Sequence, residues 1–594
     1  MKPSISNKQA ALRAACGVFL FAAVLAGVLP PYHLTLLVTV GITALAASGL
    51  AFLLSSGQVS LGHAAYMGIG AYGSAILARD HGFPTPVALL AGVAAAAFAA
   101  LVVGSVTRGL KGHFLPLATL AVGIAIPTAL IGASSVTGGA SGFGQIPALA
   151  VGPLDLSSER SLAVVVWLLV AIAAGGLARF QSSRMGRAVA ALNASEQMAQ
   201  VVGIDTPRLK LWIFVIAGAM AGLAGGLYAF YFKFVSPSPF SLPASINLLI
   251  ACILGGAASP FGAVLGAVAV MGLEIFLQDF LARKLGLPGH VEMVVFGAVL
   301  AGVLLKWPGG IWSALARFWP GFTAPKPSAD AGAAVELAPS AAGNPKPHLL
   351  QLSGIGKSFG GLQALADVSF SVGAREIVGL IGPNGAGKST TFDIATGLTQ
   401  PTLGQVHLDG RALPAKLSEL VELGVARTFQ HVKLVPTLSV IENVALGAYK
   451  QGSSGILAGM VGSDGDEEAA TFALAWHALG IVELEALAGV PAGLLTMGQA
   501  RLVEVARAIV SRPRLLLLDE PAAGLRTGEK LKLVELLHRL RRSGTAVLIV
   551  EHDMDLVMNC VDRLIVLNRG RDLARGTPDE VRADPQVIAA YLGT

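Results

Sequence analysis

The stretch GPNGAGKST at residues 382–390 brings together the residue types that bind phosphate. Gly382, Gly387, Lys388 and Ser389 stand in the spacing G-x-x-x-x-G-K-[ST], with Pro383, Asn384, Gly385 and Ala386 between them and Thr390 after. Glycines allow successive backbone N–H groups to turn toward one anion, the lysine reaches the outer phosphate oxygens, and the Ser389 hydroxyl can ligate Mg²⁺. A second run, RLLLLDEP at 514–521, closes a leucine strand with two acids. An Asp at the carboxyl end of such a strand suits the magnesium side of a phosphate site, so Asp519 is expected to hold the metal through water. Glu520, one residue on, is placed to take a proton from an attacking water. Either run alone reads as an ordinary glycine turn or a pair of solvated acids; together they predict a nucleoside triphosphate site that uses Mg²⁺.

These residues need elements to position them. EIVGLIG (376–382) predicts a buried strand entering the glycine loop and TTFDIATGL (390–398) a helix leaving it. Both lie in the charge-dense part of a two-part chain. Of 594 residues, 54% are hydrophobic and only 13% charged, a balance that points to membrane-spanning segments. Residues 1–347 hold 19 Lys/Arg against 10 Asp/Glu, and the remainder 23 against 26. A sparse basic half joined to a dense, slightly acidic one predicts a helical polytopic membrane domain (1–320) followed by an α/β P-loop NTPase domain (349–594). The intervening GFTAPKPSADAGAAVELAPSAAGNPKPH (321–348) reads as an extended tether. Cys16, Cys252 and Cys560 have neither metal-like nor redox-like spacing, and no nucleic-acid partner is expected.

Apolar runs fall near 14–31, 34–54, 60–78, 86–106, 114–133, 161–178, 211–231, 246–256, 260–278 and 291–305. Most approach the ~20 residues that cross a bilayer core, which predicts about ten spans. The first run follows Lys2, Lys8 and Arg13 and competes with a signal peptide; without an A-x-A-type site close behind, it is expected to stay as a span. With ten crossings, Arg108, Lys111, Arg179, Arg184, Arg187, Arg208, Lys210, Lys306 and Arg317 share the N-terminal side, which is then the cytoplasm. Arg283 and Lys284 fall opposite.

Two membrane-half stretches depart from the apolar pattern. SRMGRAVAALNASEQMAQVVGID (183–205) is amphipathic and too polar to cross, so it either lies on the headgroups or docks a soluble domain. SSGQVSLGHAAYMGIGAYG (55–73) sets Gln58 and His63 among apolar spans. They lack the further ligands of a metal site. Gly57, Gly62, Gly68 and Gly70 are expected to break or thin a helix there, leaving Gln58 and His63 either to pair freed backbone groups or to line a pathway.

LTMGQARLVEVARAIV (495–510), RTFQH (427–431) and VLIVEHDMDLV (547–557), read with the glycine loop and LLLLDEP, resemble the ATP-binding-cassette ATPases in order and spacing. The resemblance implies that Gln430 senses Mg²⁺ and communicates with the membrane domain, and that His552 contacts the γ-phosphate of ATP. It implies that Thr496, Gly498 and Gln499 cap nucleotide held by a second ATPase, and that Phe359 in KSFGG stacks on adenine. Two departures stand out: Met497 replaces the first of the paired glycines of the usual signature, and PAAGL (521–525) lacks the customary Asp. PAAGL, RTFQ, the LTxGQ-type signature and ADPQVIAAYLG (583–593) are nevertheless similar to the ATPases of branched-chain amino acid uptake. SSGQVSLGHAAYMGIGAY, TGGASGFGQIP (137–147), the 183–205 segment and LGGAASPFGAVLGA (254–267) resemble the matching permease.

The resemblance implies ATP-driven import across a bacterial inner membrane, with the ATPase domain and both termini cytoplasmic. Two permeases, two ATPases and a periplasmic substrate-binding protein are implied, so a second permease and ATPase, or another copy of this chain, are expected partners beside the lipid membrane and a small solute. Arg187, Glu196 and Gly203 are expected to dock near Gln430. Urea, short amides or other amino acids are alternative cargoes, and a half-size exporter is the rival architecture.

Overall fold

The computed structural model describes residues 5–109, 114–152, 154–280, 289–315 and 348–592. Lys2, Lys111, Arg283, Lys284, Arg317 and all of the expected tether but His348 lie outside the described residues.

An apolar segment in lipid must satisfy its backbone N–H and C=O groups internally, and a helix does so within one segment. The apolar runs form α1 (Ile5–Val28), α2 (Pro31–Ser55), α3 (His63–Arg79), α4 (Thr85–Thr107), α5 (Phe114–Gly132), α6 (Glu159–Gln181), α9 (Thr206–Phe232), α10 (Leu242–Gly255), α11 (Pro260–Leu277) and α12 (Gly289–Lys306). Between α6 and α9 the amphipathic segment forms α7 (Arg184–Ala194) and α8 (Glu196–Val201), N-capped by the Ser183 and Ser195 hydroxyls. Among the described residues seven helices are long and apolar enough to cross a membrane.

Helix α9 lies against α2, α3 and α4. Small residues permit this closeness: a Cβ added at Gly70 of α3 would sit 2.2 Å from the Gly222 carbonyl oxygen of α9. Of the two alternatives expected for these glycines, Gly68 and Gly70 take the second: they thin α3 for close contact, Gly70 with Gly222 and Gly68 with Phe240, and do not break it. The chain interruption falls at 56–62, where Gly57 turns with φ of +77°, and the two later glycines serve contact.

The second half carries an antiparallel sheet with β1 (Leu350–Phe359) between β2 (Leu362–Val372) and β4 (Leu403–Leu408). A six-stranded sheet holds the core. It is ordered β5 (Val425–Arg427), β6 (Leu515–Asp519), β7 (Ala546–Val550), β3 (Ile377–Ile381), β8 (Arg563–Asn568) and β9 (Arg571–Gly576), parallel except for the last pair. Strands β3, β6 and β7 are buried along their whole length, as continuous apolar runs require when both sheet faces are covered. Helix α13 (Lys388–Ala395) follows β3. Helices α15 (Gly465–Ile481) and α16 (Met497–Val510) pack on each other beyond the sheet, and the short α14 (Ile456–Val461) lies against α6.

Candidate nucleotide site and its link to the membrane helices

Parallel pairing places Asp519 beside Val550 and Val550 beside Leu380. Three neighbouring strand ends thus deliver Asp519, the residues after Val550 and the loop after Ile381 to one edge. In that loop Gly385 and Gly387 have φ of +79° and +97°, and a Cβ at Gly387 would meet the Leu365 side chain at 2.6 Å. Lys388 Nζ donates to the carbonyl oxygens of Gly382 (2.7 Å) and Pro383 (3.1 Å). Burial lowers its pKa, opposed by the charges of Glu520 and Asp519. Asn384, Gly385 and Ser389 are exposed.

Asp519 is buried, and its Oδ1 has no hydrogen-bond partner. Burial pushes its carboxyl up to about 6, against the pull of Arg427. An orphaned buried carboxylate oxygen at the mouth of a glycine loop, near an exposed Ser389, fits the donor set of a Mg²⁺–nucleotide complex. Glu520 holds a left-handed backbone, φ +45°, a costly conformation for a residue with a Cβ. Its Oε1 accepts from Gln430 Nε2 at 3.2 Å, and its Oε2 lies 3.8 Å from His552 Nδ1. Three residues from distant motifs thus converge. Phe359 ends β1 half-exposed, with Lys357 Nζ 5.0 Å over its ring.

The signature begins α16. The Thr496 hydroxyl accepts from the Gln499 N–H and the Gln499 side chain accepts from the Thr496 N–H, a reciprocal cap. Met497 is exposed, and a Cβ at Gly524 would lie 3.0 Å from its Cγ. The two departures from the usual cassette pattern, Met497 and the PAAGL turn, therefore meet in space.

Several residues here were missed in the sequence. Arg501, Glu504 and Arg507 are buried along α16. Arg501 donates to the Phe429 and Gln430 carbonyls, Arg507 to the Lys433 carbonyl at 2.7 Å, and Glu504 pairs with both arginines. The signature helix thus grips the segment bearing Gln430. Glu551 is also buried; it accepts from the Ala522 and His552 N–H groups and so ties the residues after β6 to those after β7. An i, i+3, i+6 rhythm of charge in ARLVEVARA could have flagged the first three.

The α7–α8 segment seats on the ATPase half. The Arg187 guanidinium donates to both oxygens of Glu468 at 2.7 and 2.8 Å, with both side chains at most 2% exposed. Arg184 donates to the Tyr449, Gly452 and Ser454 carbonyls and pairs with Glu467 at 3.1 Å. Lys433 Nζ, three residues past Gln430, donates to Gln197 Oε1 at 2.7 Å. Gly203 has φ of +91°, and a Cβ there would meet Lys450 at 2.5 Å. Glu196 accepts from Thr206 and pairs with Lys210 at 2.8 Å, bracing the turn into α9.

Gln58 and His63 are nearly fully buried. Gln58 Nε2 donates to Ser56 Oγ (2.9 Å) and the Lys210 carbonyl (3.2 Å), and His63 Nε2 lies 3.2 Å from the Ala46 carbonyl. Both pair backbone groups near the α2–α3 break.

Residues 32–304 match the family described as branched-chain amino acid transport system / permease component, residues 365–523 the ABC transporter family, and residues 573–594 the branched-chain amino acid ATP-binding cassette transporter family. The high-affinity branched-chain amino acid transport ATP-binding protein LivG of Salmonella typhimurium is 43% identical over 256 residues, covering 41% of this chain and 98% of the relative. BraF of Pseudomonas aeruginosa, a protein of the same description, is 42% identical over 253 residues with the same coverage. A crystal structure of a nucleotide-free ATP-binding cassette from an ABC transporter is 32% identical, covering 42% of this chain and all of that one, with a TM-score of 0.38. With relatives matched nearly end to end behind a permease-type half, the chain belongs to the branched-chain amino acid ABC transporter family and carries a permease and an ATP-binding cassette in one polypeptide.

Proposed function

We propose that this chain is the fused permease and ATPase of an ATP-driven importer of branched-chain amino acids in a bacterial inner membrane, its ATPase domain and both termini cytoplasmic. The observation that carries the reading is the contact between the Gln430 segment and the membrane half: Lys433 holds Gln197, while Arg187 and Arg184 anchor α7 on Glu468, Glu467 and nearby carbonyls. Movement of the nucleotide site reaches the helices through these pairs.

At that site the loop amides of 383–388 and Lys388 would hold ATP phosphates, and Ser389, Gln430 and Asp519 would hold Mg²⁺. When bound, the Mg²⁺–ATP complex supplies the phosphoryl group whose hydrolysis releases the closed state. Glu520 takes the proton of the attacking water and Gln430 orients its carboxylate. His552 steadies the outermost phosphate, and Phe359 stacks against the base. Thr496, Gly498 and Gln499 stand at the start of α16, where they would cap nucleotide on a second cassette; a second permease and ATPase, or another copy of this chain, complete the assembly with a periplasmic binding protein. The branched-chain cargo is supported by the family descriptions of both halves.

Uptake of labelled leucine into inverted-free, right-side-out vesicles carrying the complete assembly and its binding protein tests the proposal. ATP-dependent accumulation is expected; accumulation of urea but not leucine, or ATP-driven efflux, would refute it.

A further inference from the structure

Away from the nucleotide site, α2, α9, α10 and α11 enclose an open cavity of about 200 Å³ lined by residues of the membrane half alone. Its lining is mostly apolar, an aliphatic floor of Ile42, Leu248, Ala251 and Val270 beside Met67, Tyr228 and Phe240. Beside the hydroxyls of Thr39, Thr43 and Tyr228, a carboxylate and a carboxamide share it. Glu274 lies on α11 within the run PFGAVLGAVAVMGLEIFL, and Asn247 on α10 within LPASINLLIACILG. Both are exposed. Among the described residues neither side chain has a hydrogen-bond or ion-pair partner, whereas Thr39 and Thr43 on the same wall bond carbonyls one turn back on their own helix.

A carboxylate at membrane depth is costly unless something polar meets it, which makes it a functional position by default. The cavity is too small for a drug-sized molecule, whose sites begin at roughly 300 Å³. It suits a solute with few heavy atoms. An anionic carboxylate and a neutral carboxamide over an aliphatic floor complement one chemistry in particular: a zwitterion with an ammonium, a carboxylate and a short branched hydrocarbon tail.

We propose that this cavity is a substrate seat in the permease, in which Glu274 receives the α-ammonium, the Asn247 carboxamide donates to the α-carboxylate, and the Ile42–Leu248–Ala251–Val270 floor takes the branched side chain. The assignment deepens the importer reading and rests on it for the identity of the cargo. Glu274 selects the charged head and the floor limits the tail, so one seat serves leucine, isoleucine and valine and rejects solutes lacking either part.

The test is modification of Glu274 by an apolar carbodiimide in the purified full-length chain in lipid nanodiscs, read by mass spectrometry of the α11 peptide. Leucine at tens of millimolar is expected to slow modification at least threefold, and 4-methylpentanoate, which has the tail but no ammonium, to leave it unchanged. Equal rates with and without leucine would overturn the seat. So would protection that appears on adding a second permease without leucine, because Glu274 would then face a subunit. In vesicles Glu274→Gln is expected to cut leucine uptake at least tenfold and Glu274→Asp to restore part of it; wild-type uptake by both would overturn the seat as well. Vesicles of the unaltered assembly that take up urea and not leucine would defeat the importer's cargo, a result separate from the labelling outcome.

Discussion

At the residue scale, the strained backbone of Glu520 and its contacts with Gln430 and His552 set out a division of labour. Glu520→Gln preserves shape but cannot accept a proton. ATP turnover of the assembled transporter should fall ~10²–10⁴-fold, the usual worth of a positioned base, while nucleotide binding persists. Phosphate release measured beside equilibrium binding of a labelled nucleotide checks both halves of the expectation. Residual turnover near wild type would move the base elsewhere. The motif residues themselves were legible in the sequence, because a glycine loop and an acid-tipped strand need fixed spacings. Glu551 and Asp519's isolation were not, since each depends on which strand lies beside β6.

At the element scale, α7 and α8 couple the halves through a buried ion pair. Removing one partner leaves the other charged and dry, so Arg187→Met or Glu468→Leu alone should destabilise the docked state by about 3–5 kcal/mol. The double variant should recover most of that loss, because an apolar pair of similar volume needs no desolvation compensation. The thermal midpoint of the cassette in the purified chain reads the effect; additive losses would mean the two side chains do not act as a pair. Gly203→Ala should weaken the same interface by about 1–3 kcal/mol, combining a disfavoured φ with a clash against Lys450. Arg187 was legible as a basic residue on an amphipathic segment. Its partner was not: Glu468 sits 281 residues away in a run of three acids, DEE, that reads as an ordinary acidic helix start.

At the scale of the whole molecule, the contacts at α7 and α8 join permease and cassette independently of the covalent connection. Residues 1–320 and 349–594 produced as two chains should therefore copurify and support ATP-dependent uptake; failure to associate would make the fusion itself necessary. A cysteine pair at Gln197 and Lys433, with Cys16, Cys252 and Cys560 replaced by Ser, should crosslink across the same joint, and a yield unaffected by ATP would count against transmission through it. The division into an apolar and a charge-dense half followed from the sequence alone, because transfer of side chains into lipid depends on composition rather than on partners. So did the phosphate loop, whose chemistry is local. Tertiary structure decided what long-range contact decides: that Gly70 serves packing against α9 and Gly68 packing against Phe240 within an unbroken α3, that the Arg501–Glu504–Arg507 stripe grips the Gln430 segment, and that Glu274 and Asn247, 27 positions apart and unremarkable in sequence, share one cavity. Burial, pairing and isolation are properties of neighbours, and only the folded chain chooses those.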